Sequence, residues 1–320
     1  MLRCGAVTVE LVRRSRLAIA GALLFGAACH PDPAVAPAAA ASTPPAAAGA
    51  ASQVIAPGER LVGTVYILGV EAARAEAEAC RDAGGDVHVH LVAESVGIAA
   101  TLQRARMEMD TVLAGDELRP IADWSDADVG GKLRRYDVRF RTGGYDYDYH
   151  RSTGPPVHER IRVADPQETV HDLLTGVLLL RGWRPTPGTP ARFSAVLGRH
   201  LWITDAVFRG PDVVIHADGP YPAVRIEGVT RKQHRDPKLR ETAPFQVWFS
   251  DDPDRIPLRA KTTSDFGDIW LEMTEYHRGE PRPCREYARV ISLPGDPDVD
   301  EPTPPPAPAA PPEDEAEAGW

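Results

Sequence analysis

The sequence predicts a mainly β protein, built as a curved antiparallel sheet or a barrel-like fold with one or two packed helices. Apolar and polar residues alternate in many short runs, and turn-forming residues separate those runs. Only one segment carries clear capping signals for a helix. Strong curvature or closure of such a sheet would protect its edge strands.

Residues 1–29 have the features of a signal peptide with a lipobox-like end. Basic residues precede an uncharged run from Leu17 to Ala28, which is too short to span a bilayer comfortably. Small residues then precede Cys29, which we expect to be acylated, although Gly26 stands where a lipobox commonly has an aliphatic residue. Ordinary cleavage near Ala28 is the alternative. Because His30 is not the Asp of inner-membrane retention, an outer-membrane lipoprotein facing the periplasm is predicted.

Two segments of low complexity flank the predicted domain. Residues 30–57 are rich in Ala and Pro and predict a disordered tether, because they lack the large apolar side chains that offset chain entropy. Residues 294–320 combine nine Pro with eight acidic residues and predict an extended acidic tail. One β-rich domain is therefore expected over residues 58–293. The net charge of −10 argues against nucleic acid as a partner.

The first half of the domain contains predicted strands and two segments whose pattern includes helical features. The run from Glu71 to Cys80 is ambiguous, since its alanines recur with period two while Ala and Glu favour helices. From Ser95 to Val112 the pattern loosens towards a helix. The runs with β character are Leu61 to Val70, Val87 to Glu94, Arg134 to Phe140 and Tyr145 to His150.

One helix is well marked. Asp165 is a good N-cap, Pro166 suits the first helical position, and Glu168 follows the cap by three residues. Apolar residues at helical spacing predict a helix that packs one face on a sheet, with Gly182 at its C-terminus. Their positions are Val170, Leu173, Leu174, Val177 and Leu178.

Strands alone follow this helix, which gives about ten strands in total. A hairpin around Leu197 to Arg199 precedes a second hairpin and a final meander with Asp-rich and Gly-containing turns. The predicted strands are Ala191 to Val196, His200 to Val207, Asp212 to Ala217, Ala223 to Thr230, Phe245 to Ser250, Ile256 to Ser264 and Asp268 to His277.

Two cysteines lie inside the predicted domain. Cys80 and Cys284 would form a disulfide in an oxidising compartment, or remain two free buried thiols. A Cys/His metal spacing is absent from the sequence, and we expect neither a metal nor a cofactor.

Several side-chain patterns are candidate sites. Tyr145, Tyr147 and Tyr149 share one strand face and could contact a lipid or glycan, although half-buried packing is the more ordinary explanation. His88 and His90 share a face without a third ligand at a recognisable spacing. The run from Asp251 to Asp254 fits an Asp-rich turn, which Arg255 would hold by an ion pair.

Three segments resemble the bacterial "domain of unknown function 3108" family. They are Gly58 to Leu61, His171 to Arg181, and Trp248 to Pro257 with the following Phe266-Gly267 turn, within a resemblance spanning residues 58 to 277. The resemblance implies an exported, mostly β envelope protein and brings no catalytic residues.

The sequence favours a non-enzymatic envelope lipoprotein. Its domain would bind an apolar or glycan ligand or an envelope protein, and its lipid anchor would make the membrane a partner. An envelope enzyme, such as a hydrolase with a site that the sequence hides, is the alternative, and an assembly factor acting through the acidic tail is a third.

Overall fold

The computed structural model describes residues 54–115, 117–165, 167–216, 219–234, 240–264, 267–280 and 284. The predicted signal peptide, Cys29, most of the predicted tether and the predicted acidic tail lie outside these residues. Fifteen strands and two helices occur in the described part, which confirms a mainly β protein. Their bounds are β1 Arg60–Ile67, β2 Val70–Arg81, β3 Val87–Ser95, α1 Gly97–Leu102, β4 Ala105–Leu113, β5 Pro120–Val129, β6 Lys132–Arg141, β7 Gly144–Arg151, β8 Val157–Arg162, β9 Val170–Asp172, α2 Leu173–Gly182, β10 Pro190–Leu197, β11 His200–His216, β12 Gly219–Lys232, β13 Thr242–Ser250, β14 Pro257–Ser264 and β15 Gly267–His277.

All strands belong to one sheet that is not closed into a barrel. Its order is β8-β7-β6-β5-β4-β3-β2-β1-β15-β14-β13-β12-β11-β10-β9. Consecutive strands of the chain are therefore neighbours except for β8 and β9, which form the two edges, and β1 also pairs with β15. Every pair is antiparallel apart from β9 with β10. The sheet therefore consists of two meanders, joined where the first strand meets the last.

The sheet curls so that one edge approaches strands near the other edge. The Thr111 hydroxyl of β4 donates a hydrogen bond of 3.0 Å to Asp172 at the end of β9. Val170 of β9 and Val196 of β10 pack in one buried cluster with tyrosines of β7. The curled sheet thus has an inner face that surrounds α2 and an outer face rich in ion pairs.

Helix α2 lies inside this curl, which corrects the prediction of a helix with one packed face. Leu174 and Leu178 pack against the cores of β2, β3 and β4, whereas Leu179 and Leu180 pack against β10 to β13. Gly176 lies close to Phe193, where a Cβ would stand 3.1 Å from the ring.

The start of α2 was also predicted wrongly. The helix begins at Leu173, and the carboxylate of Asp172 caps it by accepting a hydrogen bond of 3.0 Å from the Thr175 amide. Asp165 instead closes a turn by accepting from the Gln167 amide. Val170 to Asp172 cannot be helical, because their extended backbone pairs with β10.

Other local predictions changed in the same way. The ambiguous Ala/Glu run is β2, and its alanines from Ala73 to Ala79 take the inner face. The segment predicted as a helix from Ser95 holds the short helix α1 and then β4. Strands predicted separately over residues 200–207 and 212–217 form the single long strand β11, which has a register shift between Phe208 and Gly210.

The chain enters and leaves the domain at one place. Gly58, two residues before β1, packs backbone to backbone against Gly279 and Glu280, which follow the end of β15 by two and three residues. A Cβ on Gly58 would collide with the carbonyl oxygen of Glu280, and a Cβ on Gly279 would collide with that of Gly58. Both glycines also have positive φ angles, so this crossing needs glycine twice.

Candidate functional site

An apolar cavity of about 100 Å³ lies between α2 and the inner face of β13, β14, β15 and β1. Val177 and Leu180 of α2 form one wall. The facing side chains include Val65, Phe245, Val247, Leu258, Ile269 and Leu271. Because alternate residues of a strand share a face, the alternation predicted from the sequence in β13 and β15 brings these apolar side chains together.

A second cavity of about 40 Å³ lies on the flank of α2 that faces β10 and β11. It shares Val177, Leu180 and Phe245 with the larger cavity, and Phe193 and Trp202 line its other side. The two cavities therefore follow the helix surface around Val177, which is less buried than its neighbours in α2.

Small residues on the inner face help to explain the space. Ala260 lines the larger cavity. Ala73, Ala75 and Ala93 form a cluster with Val65 and Ile269, two of the cavity-lining residues. Short side chains at these positions leave the curled sheet wider there than leucines would.

The lining favours an apolar occupant. Its Thr262 hydroxyl donates a hydrogen bond of 2.8 Å to the carbonyl of Pro244 and is therefore satisfied. Arg259 and Lys261 also border the cavity, yet their charged groups pair with Glu272 and Asp268, each at 2.6 Å. An apolar cavity of this order of size stays dry and accepts small hydrocarbon groups.

A second candidate is a buried polar cluster beside the N-terminus of α2. One oxygen of Asp172 accepts hydrogen bonds from the Thr111 hydroxyl and the Thr175 amide, and the other accepts from the Thr175 hydroxyl. Asp123 is only 1% exposed, and its Oδ1 atom has no hydrogen-bond partner among the described residues. Burial, and then the negative charge of Asp172, raise the pKa of Asp123 well above its usual range.

His171 belongs to the same cluster. Burial lowers its pKa to about 4, its Nδ1 atom lacks a partner among the described residues, and its ring packs edge-on against Phe193. Neither cavity is lined by His171, Asp172 or Asp123. Since a substrate could not reach these groups from either cavity, we assign them to the support of α2.

The three tyrosines predicted as a contact surface point into the curled sheet. Tyr145, Tyr147 and Tyr149 are at most 9% exposed, which matches the packing alternative more closely than an open surface. The Tyr147 hydroxyl donates a hydrogen bond of 2.6 Å to Glu159, and the Tyr149 ring stacks on Tyr136. A ligand at this stripe would have to enter the core.

The two histidines of β3 bind carboxylates. His88 lies 3.0 Å from Asp82, and His90 lies 2.8 Å from Asp110. Within the described ranges, no group of three His, Cys, Asp or Glu side chains is arranged to hold a metal ion.

The Asp-rich turn is closed by Asp252, which accepts hydrogen bonds from the amides of Asp254 and Arg255 and from the Ser250 hydroxyl. Arg255 does not hold the turn by an ion pair within the described residues. Its guanidinium lies instead over the ring of Phe208, 5.9 Å from the ring centroid.

The cysteines of the domain are joined. A disulfide connects Cys80 in β2 with Cys284, and their Cα atoms are 5.0 Å apart. It ties the second strand to the chain that follows the last one.

A buried ion pair that the sequence analysis missed closes one end of the curl. Arg181, in the last turn of α2, donates to Glu59 at 2.6 Å, and both side chains are nearly inaccessible to solvent. The same guanidinium donates twice to the carbonyl of Asp254. The Ala56 amide binds the second oxygen of Glu59. The three segments that carried the family resemblance thus meet at this end.

A family model described as "Protein of unknown function (DUF3108)" matches residues 63–274. The chain belongs to this family. No curated protein matches it.

Three solved structures are similar to this DUF3108 chain at low sequence identity. A β-barrel-like protein of the domain of unknown function DUF1849 from Brucella abortus is 9% identical with a TM-score of 0.48, over 69% of this chain and 97% of that one. A protein from Bacteroides fragilis, assigned as exported and having a YmcC-like fold, is 7% identical with a TM-score of 0.29, over 70% and 97%. A protein from Parabacteroides distasonis, assigned as a lipoprotein, is 10% identical with a TM-score of 0.31, over 70% and 98%.

Proposed function

We propose that this protein is a non-enzymatic lipoprotein of the bacterial cell envelope whose curled sheet binds one apolar chain beside α2. The observation that carries the proposal is the pair of cavities that share Val177, Leu180 and Phe245. An unbranched acyl chain suits two narrow apolar spaces on one helix better than a glycan does, because a glycan needs unsatisfied hydrogen-bonding groups around it.

Export is supported by the disulfide between Cys80 and Cys284, since such bonds persist in oxidising compartments. Among the described residues, no helix is both long and apolar enough to cross a membrane. Attachment to the outer membrane through an acylated Cys29 is part of the proposal. Cys29→Ala should then move the protein from the membrane to the soluble fraction, and continued sedimentation with membranes would contradict it.

Ligand binding can be tested with dansyl-undecanoic acid, a fluorescent fatty acid, titrated into the full chain. We expect saturable binding, and at least tenfold weaker binding after Val177→Phe, because the larger ring fills the space that both cavities share. Val213→Phe is the matched control, since Val213 is 54% exposed and lines neither cavity.

Filling the cavity from the sheet side provides a second variant. In Ala260→Leu, the larger side chain extends from β14 into the larger cavity and should weaken binding. This variant tests the proposal independently if Val177→Phe folds poorly. Equal affinity of the wild type and of a folded cavity-filling variant would overturn the proposal.

A further inference from the structure

Four large aliphatic side chains are exposed together at the end of β1 that lies farthest from Glu59. Leu68 is the first residue of the loop between β1 and β2 and Val70 is the first residue of β2, and 68% and 53% of their surfaces are exposed. Ile98 and Leu102 of α1 are 68% and 81% exposed. The Val96 amide, just before α1, donates a hydrogen bond of 2.9 Å to the carbonyl of Ala72 in β2, which holds the two segments side by side. We call these four residues the aliphatic tip.

Leu68 is an unusual residue for its position, because of both its backbone conformation and its exposure. Its φ angle is +53°, and it precedes Gly69 with φ +78° in a two-residue hairpin loop, where Asn or Gly is the favoured first residue. A leucine there is strained, and most of its side chain remains exposed to solvent. Asn would satisfy the turn better, so the folding of this hairpin does not account for the leucine.

Helix α1 presents its apolar residues outward. Ile98 and Leu102 are four residues apart and share one face, and no residue of α1 is buried. Helices of soluble proteins normally turn such a face to the core. A six-residue helix has little stability of its own, so an exposed aliphatic face on it points to an external apolar contact.

We propose that the aliphatic tip inserts into the surface of a phospholipid bilayer. Its side chains are all aliphatic, whereas the residues that dominate protein interfaces are Trp, Tyr and Arg. Exposed Arg104 lies two residues after α1. Exposed Lys132 lies close to it, because the amide of Gly130, two residues before Lys132, donates a hydrogen bond of 2.8 Å to the carbonyl of Arg104. Aliphatic side chains flanked by basic ones are typical of interfacial insertion into anionic membranes.

The predicted anchor is compatible with this contact. Cys29 and Val54 are 25 residues apart in the sequence, and a chain of that length reaches at most about 85 Å. Strand β1 rises by only about 26 Å over its eight residues. A lipid on Cys29 would therefore allow the opposite end of the domain to face the same bilayer. The inference does not depend on ligand binding beside α2.

Vesicle co-sedimentation tests the contact, with the full chain carrying Cys29→Ser so that no acyl anchor contributes. Vesicles of phosphatidylethanolamine and phosphatidylglycerol are the probe. Leu68→Asn combined with Leu102→Gln should lower the partition coefficient about tenfold, and Leu68→Asn also suits the positive φ angle. The matched control is Val213→Asn with Ile215→Gln, which removes two exposed aliphatic side chains from β11 and should change partitioning less than twofold.

A second measurement reports the position of the tip directly. Tryptophan fluorescence of Leu68→Trp should be quenched by vesicles that contain brominated lipid, whereas Ile215→Trp should match the wild type. Unchanged partitioning of the Leu68/Leu102 variant, an equal loss in the control variant, or absence of quenching at position 68 would each overturn the proposal.

Discussion

The guanidinium of Arg181 donates to the carboxylate of Glu59 at 2.6 Å, in a place where neither side chain meets solvent. The pair joins the end of α2 to the residue before β1, and the Asp254 carbonyl accepts hydrogen bonds from the other two guanidinium nitrogens. An ion pair so deeply buried stabilises the fold only while both partners are present, because either one alone would be a buried uncompensated charge.

Removing one partner of this pair should therefore be costly. Arg181→Met is expected to lower the free energy of unfolding by about 3–5 kcal/mol in urea titrations. Glu59→Gln with Arg181→Met should cost less than the sum of the single changes, because no charge then remains buried. Arg106→Met removes the exposed partner of Glu94 and Glu108 and should cost less than about 1 kcal/mol. If the free-energy changes of the two single variants at Glu59 and Arg181 add up to that of the double variant, the two side chains do not act as an ion pair.

Asp123 should destabilise the protein at neutral pH. Its pKa in the folded state is raised, so the folded chain keeps a proton that the unfolded chain releases near pH 4. The contribution of Asp123 to the free energy of unfolding is therefore greatest below that pH and is lost as the pH rises through the folded pKa. Asp123→Asn should raise the free energy of unfolding at pH 7 by about 1–2 kcal/mol and have little effect at pH 3.5. Glu71→Gln, at an exposed position, is the control for the loss of one charge; a destabilised Asp123→Asn at pH 7 would refute the expectation.

His171 should produce the opposite pH dependence. Its folded pKa of about 4 lies below the usual 6.5, so its contribution is fully present above pH 6.5 and is lost as the pH falls towards 4. The shift corresponds to about 3 kcal/mol. His171→Phe keeps an aromatic ring beside Phe193 and should remove this loss, which unfolding curves at pH 7.5 and pH 4.5 would measure. If the free energy of unfolding falls equally between pH 7.5 and pH 4.5 in the wild type and in His171→Phe, His171 is not the source of the acid sensitivity.

The bond between Cys80 and Cys284 closes a loop with a sequence separation of 204 residues. Chain-entropy arguments give a stabilisation of about 5 kcal/mol for a loop of that length. We therefore expect a marked fall in the denaturation midpoint on reduction, and none for the Cys80→Ala/Cys284→Ala variant under the same reductant. Two more free thiols in the unreduced, denatured wild type than in the Cys80→Ala/Cys284→Ala variant would show that the bond does not form.

The sequence was sufficient for elements whose side chains alternate and whose turns have characteristic residues. Strands β13 and β15 are of this kind, as is the turn capped by Asp252. The start of α2 was predicted too early, because Asp165 and Glu168 have the spacing of a capping box. The helix begins only at Leu173, since Val170 to Asp172 pair with β10.

The candidate site was less accessible to sequence analysis. The apolar residues of β13 and β15 were recognised as core, yet the cavity depends on how far the curled sheet stands from Val177, which no local pattern records. The pairing of Glu59 with Arg181 spans 122 residues, and nothing in either neighbourhood indicates it. Charged residues in apolar surroundings, as Arg181 is after Leu178 to Leu180, are the one signal that could have raised the question.

The contact of Gly58 with Gly279 and Glu280 places the chain that leads into β1 against the chain that leaves β15. The two ends could therefore be connected without changing the neighbours of any strand. A circular permutant that joins the two ends and opens the chain within the exposed turn at residues 152–154 should keep every strand pairing. In the natural chain, the same contact places Gly58 and Glu280 together at the end of the curled sheet opposite the aliphatic tip.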